Sequence, residues 1–366
     1  MSLPIVSIHR VDRTGAISLV AANVPYSNLQ WTRRFSGAGE FAVSLACPMP
    51  VPWPGRYLLT ASGSDEVGVI EKCEASEGAD GSSSSLSGRF AECLWDRYAI
   101  GAGGETVRGA DWRQAVTSAL SAWHMGDLPP LSMGEGTREA SGSSYAISGG
   151  AGDSAMELIF SCASGNGARP VIGYDRDEDR DSLTVRIVDG LDRTRSQSDR
   201  PWYVFSIGMG SASGVDYSGD YSVACSEVAA HAEKDADGET VSVGLTVPVP
   251  GFDASSQWEA RAYEDVGSLI DDDEPPSEGA VSTAASLRAY DHMPSVDMSF
   301  TVGGYGYRDG WDLGDTVDVE MPSMGYAGSM RIEEVREVHK KEGSSVEATV
   351  GTKSISKVKR ALMGRR

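Results

Sequence analysis

GEFAVSLAC, residues 39–47, is the stretch that decides the fold class. Four large side chains, Phe41, Val43, Leu45 and Cys47, alternate along it with small ones. A period of two residues places the large side chains on one face of a β-strand, against a core. The stretch therefore predicts a strand that is buried on one face.

The rest of the first hundred residues repeats this pattern in short pieces. Val6–Leu19 is typical of a hairpin, because its apolar positions flank the turn-like tetrapeptide Asp12–Gly15. Further short strands are predicted at Tyr57–Thr60, Val67–Cys73 and Leu86–Leu94. Many short antiparallel strands at close spacing indicate a small barrel or sandwich.

The pattern changes after residue 101. Asp111 precedes apolar residues at helical spacing, which predicts a capped helix. A second helix is expected to begin at Asp153, and strands are expected at Arg169–Tyr174 and Ser182–Val188. These elements indicate a small α+β module.

Strand patterns return after Trp202. Apolar side chains alternate strictly over Val241–Val247, a helix is predicted over Ala280–Tyr290, and the last strand over Val346–Val350. The predicted domains are therefore 1–100 (β-rich), 101–200 (α+β), 201–351 (β-rich with a helical insertion) and 352–366 (a basic tail).

Charge and composition exclude several classes of protein. The chain has 366 residues and a formal net charge of −21, which disfavours binding to a phosphate backbone. No apolar run approaches the roughly 18 residues that span a bilayer, and Met1–Arg10 lacks the pattern of a signal peptide. The five cysteines form no CxxC pair, so we expect reduced thiols and synthesis in the cytoplasm.

Two motifs could form a ligand-binding site, but each also has a purely structural interpretation. Residues 150–155, GAGDSA, match a dinucleotide fingerprint with Asp175 downstream, but Asp153 as a simple helix cap explains them equally well. The acidic run Asp175–Asp181 resembles the start of a calcium loop. However, Arg180 and Arg186 occupy the positions where such a loop requires Gly and Glu, so a solvated hairpin tip is favoured.

Catalytic patterns are weak throughout the sequence. No two of the five histidines have HxxxH or HxH spacing, and residues 210–214, GSASG, carry alanine where a nucleophilic serine would stand. The sequence contains no P-loop. We therefore predict no cofactor, no metal and no enzymatic activity.

The last fifteen residues contrast with the acidic chain before them. They contain six basic residues and no acidic one: Lys353, Lys357, Lys359, Arg360, Arg365 and Arg366. One interpretation is a terminus that aids solubility. The other is a segment that docks on an acidic surface of a neighbouring subunit or partner.

Residues 29–35, LQWTRRF, followed by GEFAV at 39–43, resemble the opening of the tail-tip or baseplate hub family of long-tailed bacteriophages, the siphovirus tail proteins. Further matching stretches follow in the same order: GRY (55–57), GVIE (68–71), GRF (88–90), LWDRYAI (94–100), DGLDRT (189–194), DLGDTV (312–317) and MRIEEV (330–335). Their common order carries the resemblance.

The resemblance implies a mainly β fold in which two small antiparallel β-barrel domains flank the α+β module. It also implies a homotrimer that presents six barrels to a sixfold ring of distal-tail or tail-tube subunits. Such a hub closes the tail tube, anchors other tip proteins and lets the genome pass without specific binding. The expected location is the virion tail tip after synthesis in the host bacterial cytoplasm, without membrane insertion by this chain.

Partner-binding residues are predicted at both ends of the chain: Trp31, Arg33, Arg34, Phe35, Gly314, Asp315, Lys353, Lys357, Lys359 and Arg360. Arginine next to aromatic residues is typical of interfaces, but the same residues could cover the rim of their own barrel. One rival function is binding of host-surface glycans through Trp53, Trp202, Trp258 or Trp311. Another rival is cell-wall hydrolysis, because spatially paired carboxylates leave no signature in a sequence.

Overall fold

The structure is a computed structural model that describes residues 3–46, 53–78, 81–126, 128–138, 145–176, 181–236, 239–267, 275–302, 304 and 306–351. The chain divides into two compact units. The larger unit comprises Met1–Asp216 and Met298–Gly351, and the inserted unit comprises Tyr217–Asp297. No helix of the described residues combines the length and the apolar character that crossing a membrane requires.

About half of the described chain is strand, and three α-helices are described. The strands are β1 (Val6–Val11), β2 (Ile17–Ala21), β3 (Tyr26–Arg34), β4 (Glu40–Leu45), β5 (Tyr57–Ala61), β6 (Val67–Gly78), β7 (Gly81–Phe90), β8 (Glu105–Gly109), β9 (Leu131–Met133), β10 (Tyr145–Gly149), β11 (Ala168–Asp175), β12 (Ser182–Asp189), β13 (Asp192–Arg193), β14 (Val204–Ser206), β15 (Ala212–Asp220), β16 (Glu227–Ala236), β17 (Glu239–Pro248), β18 (Arg261–Asp265), β19 (Ser295–Val302), β20 (Thr316–Met321), β21 (Tyr326–Lys340) and β22 (Gly343–Gly351). The helices are α1 (Trp112–Ala122), α2 (Ala155–Gly165) and α3 (Glu278–Ala289).

The first strands form a curled antiparallel sheet in the order β3-β4-β7-β6-β5-β1-β2. The predicted strand in GEFAVSLAC is confirmed as β4, and the hairpin over Val6–Leu19 is confirmed as β1 and β2. Strands β1 and β3 lie far apart in this order, yet Ile8 and Leu29 pack in one core. The sheet therefore curls around that core, and Val24 N donates to Val6 O at 2.8 Å across the gap.

The α+β module follows the predicted plan with one correction. Asp111 caps α1 and accepts a hydrogen bond from Gln114 N, as predicted. The prediction that the second helix begins at Asp153 is wrong, because Ser154 is the cap and its hydroxyl accepts from Glu157 N. The Asp153 carboxylate instead accepts from Gly150 N and closes the glycine loop. The two predicted strands are confirmed as the antiparallel pair β11 and β12.

The last part of the larger unit joins its first part through β21. This strand pairs with β20, β22 and β3, so the strands near the two ends of the chain share one sheet. The strand order of this sheet runs from β15 through β19, β22, β21 and β3 to β2. Phe205 packs against Phe300 and Trp311 in the C-terminal core, with ring centroids 5.6 and 5.0 Å apart. The mainly β class with an α+β part is confirmed, and closure of two barrels stays a prediction.

The inserted unit is a three-stranded sheet with one helix. Strand β16 lies between β17, which is antiparallel to it, and β18, which is parallel. The alternation over Val241–Val247 is confirmed within β17, and α3 begins at Glu278 with Ser277 as its cap, two residues before the predicted start. Alanines of α3, such as Ala284 and Ala285, pack with Val228 on one face of the sheet.

Candidate functional site

Pairing of β3 with β21 brings two of the predicted site segments close together in the described part of the chain. Arg33 lies opposite Val335 and Arg34 opposite Glu334 in this antiparallel pair. Phe35 N, just after β3, donates to Glu333 O at 2.9 Å and extends the pairing by one bond. The segment Trp31–Phe35 and the segment that begins at Gly314 therefore meet in the larger unit.

Arg33 is the centre of a buried network of charged groups. Its Nε atom donates to Glu66 Oε1 at 2.6 Å, and its Nη1 atom donates to Asp312 Oδ1 at 2.5 Å and to Tyr307 OH at 3.0 Å. Arg169 Nη2, from β11, also donates to Glu66 Oε1, at 2.7 Å. Arg33 thus contacts the β5–β6 loop and the segment that contains Tyr307 and Asp312, and through Glu66 it is connected to the α+β module.

The network continues through Glu337 on β21. Tyr307 OH donates to Glu337 Oε1 at 2.9 Å, and Arg308 Nη2 donates to the same oxygen at 2.6 Å. His339 Nε2 lies 3.3 Å from Glu337 Oε2. Each of these carboxylates is therefore held by cations and hydroxyls of its own chain.

Burial and pairing shift the pKa values of these groups in opposite directions. Burial alone would raise the pKa of Glu66, but Arg33 and Arg169 outweigh it and hold that pKa well below its usual range. Burial alone would lower the pKa of Arg33, yet Glu66, Tyr307 and Asp312 keep it above its ordinary value. Both groups therefore stay ionised at neutral pH, and each depends on the other.

Glu92 lies beside this network with one oxygen unsatisfied. Its Oε1 atom accepts from Ile172 N at 2.9 Å, while Oε2 is buried without a hydrogen-bond partner. Burial raises the pKa of Glu92 to about 7. This carboxyl consequently changes its charge near neutral pH, unlike Glu66.

Phe35 and Gly314 form a close contact behind the arginines. Gly314 has a φ of +93°, and a Cβ atom there would lie 2.5 Å from the Phe35 ring. A Cβ atom on Gly190, at the end of the α+β module, would lie 2.0 Å from Gly314 O. Three segments approach one another here at distances that only glycine permits.

Asp315 fixes the same junction through hydrogen bonds. Its carboxylate accepts from Leu191 N at 2.8 Å and from Asp312 N at 3.0 Å, and Arg193 Nε lies 3.4 Å away. Burial raises the pKa of Asp315. The predicted residue thus ties the end of the α+β module to the start of β20.

The predicted N-terminal residues divide into buried and exposed ones. Trp31 packs in the curled sheet's core, and its Nε1 atom donates to Ser64 Oγ at 2.8 Å. Trp31, Arg33 and Phe35 are all less than 5% exposed. Arg34 lies on the other face with a side chain that is 36% exposed, and it pairs with Glu40 and Glu334. Contact with a partner stays a prediction for all four, and Arg34 is the one positioned to make it directly.

Of the other candidate sites, the glycine loop takes up a plain structural position. In the glycine loop, Gly152 N donates to Ile100 O at 2.9 Å, so the chain itself satisfies that backbone. Residues 177–180 of the acidic run and the tail residues Lys353, Lys357, Lys359 and Arg360 lie outside the described residues. Among the residues that the structure describes, no three of His, Cys, Asp and Glu group as metal ligands.

Sequence reasoning missed an exposed apolar tip of the larger unit. Ile207, Met209 and Met324 are each more than 50% exposed, and we call them the apolar tip. They lie in two turns, and these turns are neighbours, because a Cβ atom on Gly208 would lie 4.0 Å from Pro322 Cγ. Isolated apolar residues in glycine-rich turns were the available signal, since most apolar positions of this chain alternate within strands.

The chain matches no family model and no curated protein. Its structure is similar to that of the tail protein from Neisseria meningitidis MC58, with 17% identity and a TM-score of 0.60 over 97% of this chain and 99% of that one. It is also similar to the 43 kDa tail protein of prophage MuSo2 from Shewanella oneidensis, with 13% identity and a TM-score of 0.58 over 96% and 99%. The prophage tail protein gp18 from Listeria monocytogenes EGD-e matches at 9% identity and a TM-score of 0.54 over 99% and 100%.

The chain has the fold of these tail proteins. The matches extend over nearly the whole of both chains, so the larger and the inserted unit each have a counterpart. The mainly β class with an α+β part, expected from the ordered sequence motifs, is the class that these structures share with the chain.

Proposed function

We propose that this protein is a structural, non-enzymatic component of a bacteriophage tail tip or baseplate. The observation that carries the proposal is the end-to-end similarity of its fold to three tail proteins. In the proposed assembly three copies form a hub that closes the tail tube and anchors tip or host-binding proteins. Its neighbours would be distal-tail or tail-tube subunits.

The geometry of the Arg33 network supports a structural role. Glu66, Asp312 and Glu337 all accept hydrogen bonds from arginines of the same chain. A carboxylate that acts in acid–base catalysis needs access to its substrate, whereas the Glu66 side chain has no exposed surface. The network is suited to holding five segments of the chain in one arrangement: β3, the β5–β6 loop, β11, the Tyr307–Asp312 segment and β21.

Contacts with neighbouring subunits are proposed at two places in the larger unit. The apolar tip exposes three large side chains, which water solvates poorly and an interface would cover. Arg34 adds a partly exposed cation on the outer face of β3. Together they offer an apolar anchor and a charged contact of the kind that specific interfaces use.

The test is assembly of the purified chain alone and with its tail-tube protein. We expect a mass three times 38.7 kDa in solution, or rings of threefold symmetry by electron microscopy once the tube protein is added. The matched variants are Ile207→Ser, in the apolar tip, and Leu19→Ser, which replaces a similarly exposed residue of β2. A chain that stays monomeric at tens of micromolar and joins no ring would contradict the hub.

Glycan binding is a second candidate, favoured by one residue. Trp258 is 95% exposed, and such an indole can stack on a sugar ring. Trp311 leaves the set of candidate tryptophans, because it lies in the core at 1% exposure. Binding on a glycan array that disappears in Trp258→Ala and persists in Trp202→Ala would support this function.

A further inference from the structure

The sheet of the inserted unit has one covered and one open face. Ala262 of β18 packs on the core that α3 covers, whereas Tyr263 points to the other side and is 69% exposed. Arg261 and Asp265, two residues on either side of Tyr263, are exposed as well. Strand residues alternate between faces, so these three share the open face.

The open face continues across β16 and β17 with small side chains. Ala229 lies opposite both Tyr263 and Thr246, and His231 lies opposite Gly244. Because these neighbouring residues are small, the surface beside Tyr263 is shallow, and the ring of Tyr263 borders it. We call the surface of Ala229, Glu233, Thr246, Arg261, Tyr263 and Asp265 the open face.

The inserted unit carries most of the net negative charge of the chain. Residues 217–297 contain 17 acidic and 3 basic residues, a formal net charge of −14 out of −21 for the whole chain. On the open face, Glu233 and Asp265 are exposed carboxylates, while the one cation, Arg261, is paired with Glu227. A ligand of this face must therefore be basic and must offer apolar side chains to Tyr263.

One segment of the same chain has this composition. Residues 352–366 contain six basic and no acidic residues, and Ile355, Val358 and Leu362 provide apolar side chains between them. The open face and this segment are complementary in charge and in apolar content, and a complementary pair attracts at long range before it packs.

The segment also begins after a strand that is close, in the order of the sheet, to the strands that lead into and out of the inserted unit. It follows β22, which neighbours β19 in the sheet, and β19 in turn neighbours β15. Strands β15 and β19 are the two strands through which the chain enters and leaves the inserted unit. Fifteen extended residues can span up to about 50 Å, which exceeds the width of a small domain.

We propose that the segment Thr352–Arg366 docks on the open face of the inserted unit of its own chain. Lysines and arginines of the segment contact Glu233 and Asp265, and its apolar side chains contact Tyr263. Docking covers the exposed aromatic ring and neutralises part of the acidic unit in the free protein. This goes beyond the proposed tail function, because it concerns the chain before any assembly.

The test uses a fluorescent peptide of residues 352–366 and two forms of the protein, the full chain and a chain that ends at Gly351. We expect the truncated chain to bind the peptide at about 50 mM salt, and to release it near 1 M, where the screening length falls to about 3 Å. The full chain should bind at least about tenfold more weakly, because its own segment is present at a high effective concentration.

Variants of the truncated chain locate the binding surface. Glu233→Gln combined with Asp265→Asn should weaken peptide binding about tenfold, the sum of two exposed ion pairs. Tyr263→Ala should weaken it further, whereas Glu342→Gln, an exposed acid of the larger unit, should leave it unchanged. Circular dichroism checks that each variant is folded.

Three results would overturn the proposal. Equal peptide affinities of the full and the truncated chain would show that the segment does not occupy the face. Equal effects of Glu342→Gln and the double variant would show that the negative charge of the protein attracts the peptide without a specific binding site. A full chain that forms dimers, which the truncated chain does not form, would assign the segment to a neighbouring copy. The first two are peptide affinities and not measurements of assembly, so they remain separable from failure of the hub assignment.

Discussion

Replacement of Arg33 by alanine should destabilise the larger unit far more than replacement of its neighbour Arg34. Both arginines lie on β3, and each contacts two carboxylates. They differ in burial, because the Arg33 side chain is 5% exposed and the Arg34 side chain 36%. The pair therefore isolates the effect of burial on an otherwise similar set of contacts.

The magnitude follows from the groups that Arg33→Ala leaves behind. Asp312 is 40% exposed and can be hydrated again, but Glu66 has no exposed surface and keeps only Arg169 and Ser64 as partners. Loss of one partner of a buried ion pair costs about 3–5 kcal/mol. Arg34→Ala removes exposed ion pairs, which contribute about 0–1 kcal/mol.

Urea unfolding monitored by tryptophan fluorescence measures this difference. Seven of the eight tryptophans lie in the larger unit, and Trp258 of the inserted unit is almost fully exposed already. The signal therefore reports the unfolding of the unit that contains Arg33. The free energy of unfolding should fall by about 3–5 kcal/mol in Arg33→Ala and by less than about 1 kcal/mol in Arg34→Ala.

The pH dependence provides an independent check on the same reasoning. The folded-state pKa of Glu66 is depressed, so its pairing stabilises the fold above the ordinary value of 4.5 and is lost as the pH falls through the folded value. The difference between wild type and Arg33→Ala should therefore shrink below about pH 4. Equal losses in the two arginine variants, or a difference independent of pH down to pH 2, would refute the reasoning.

Three further outcomes are expected. Burial raises the pKa of Glu92 to about 7, so the folded state binds this proton more tightly than the unfolded state, and the free energy of unfolding should fall from pH 5 to pH 8. In urea titrations, Glu92→Gln should remove this pH dependence and stabilise the fold by up to about 3 kcal/mol at pH 8. An unchanged pH dependence in the variant would contradict the prediction. Gly314→Ala should lower stability by about 3 kcal/mol in thermal unfolding, and more than Gly63→Ala, which has a similar φ of +80° but open space around its Cβ position. Ile207→Ser combined with Met324→Ser should abolish ring formation with the tube protein while the melting temperature stays unchanged, and rings of normal yield would exclude the apolar tip as an interface.

Local patterns in the sequence were sufficient for some of the elements, but not for β3, and the strand predicted over Leu86–Leu94 ends at Phe90, after which a 3-10 helix begins. The alternation in GEFAVSLAC predicted β4, and the cap at Asp111 predicted the start of α1, because both signals act over a few residues. The cap of α2 was misplaced by one residue, since Asp153 and Ser154 are both good caps and only the fold decides which hydroxyl or carboxylate meets a free amide. Elements were predictable where the competing interactions were few.

The partners of Arg33 could not be predicted in this way. Glu66 and Tyr307 lie 33 and 274 residues away in the sequence, and only the folded chain brings them to Arg33. One signal was nevertheless available. A period of two places Trp31, Arg33 and Phe35 on one face of β3 and Arg34 on the other, so an inward arginine beside two inward aromatic residues already indicates a buried ionic contact.

The same period explains which residues fix the register between β3 and β21. A slip by one residue would turn Arg34 inward in place of Arg33, so an arginine would still face Glu66 and the charged pair would discriminate little. That slip would also carry Trp31 and Phe35 to the outer face, with the loss of two buried aromatic side chains at about 1.5–3 kcal/mol each. Phe35 would also leave its position next to Gly314. Glycine has no side chain that could fill the gap. The aromatic residues therefore specify the register, and the arginine network then connects the segments that this register brings together.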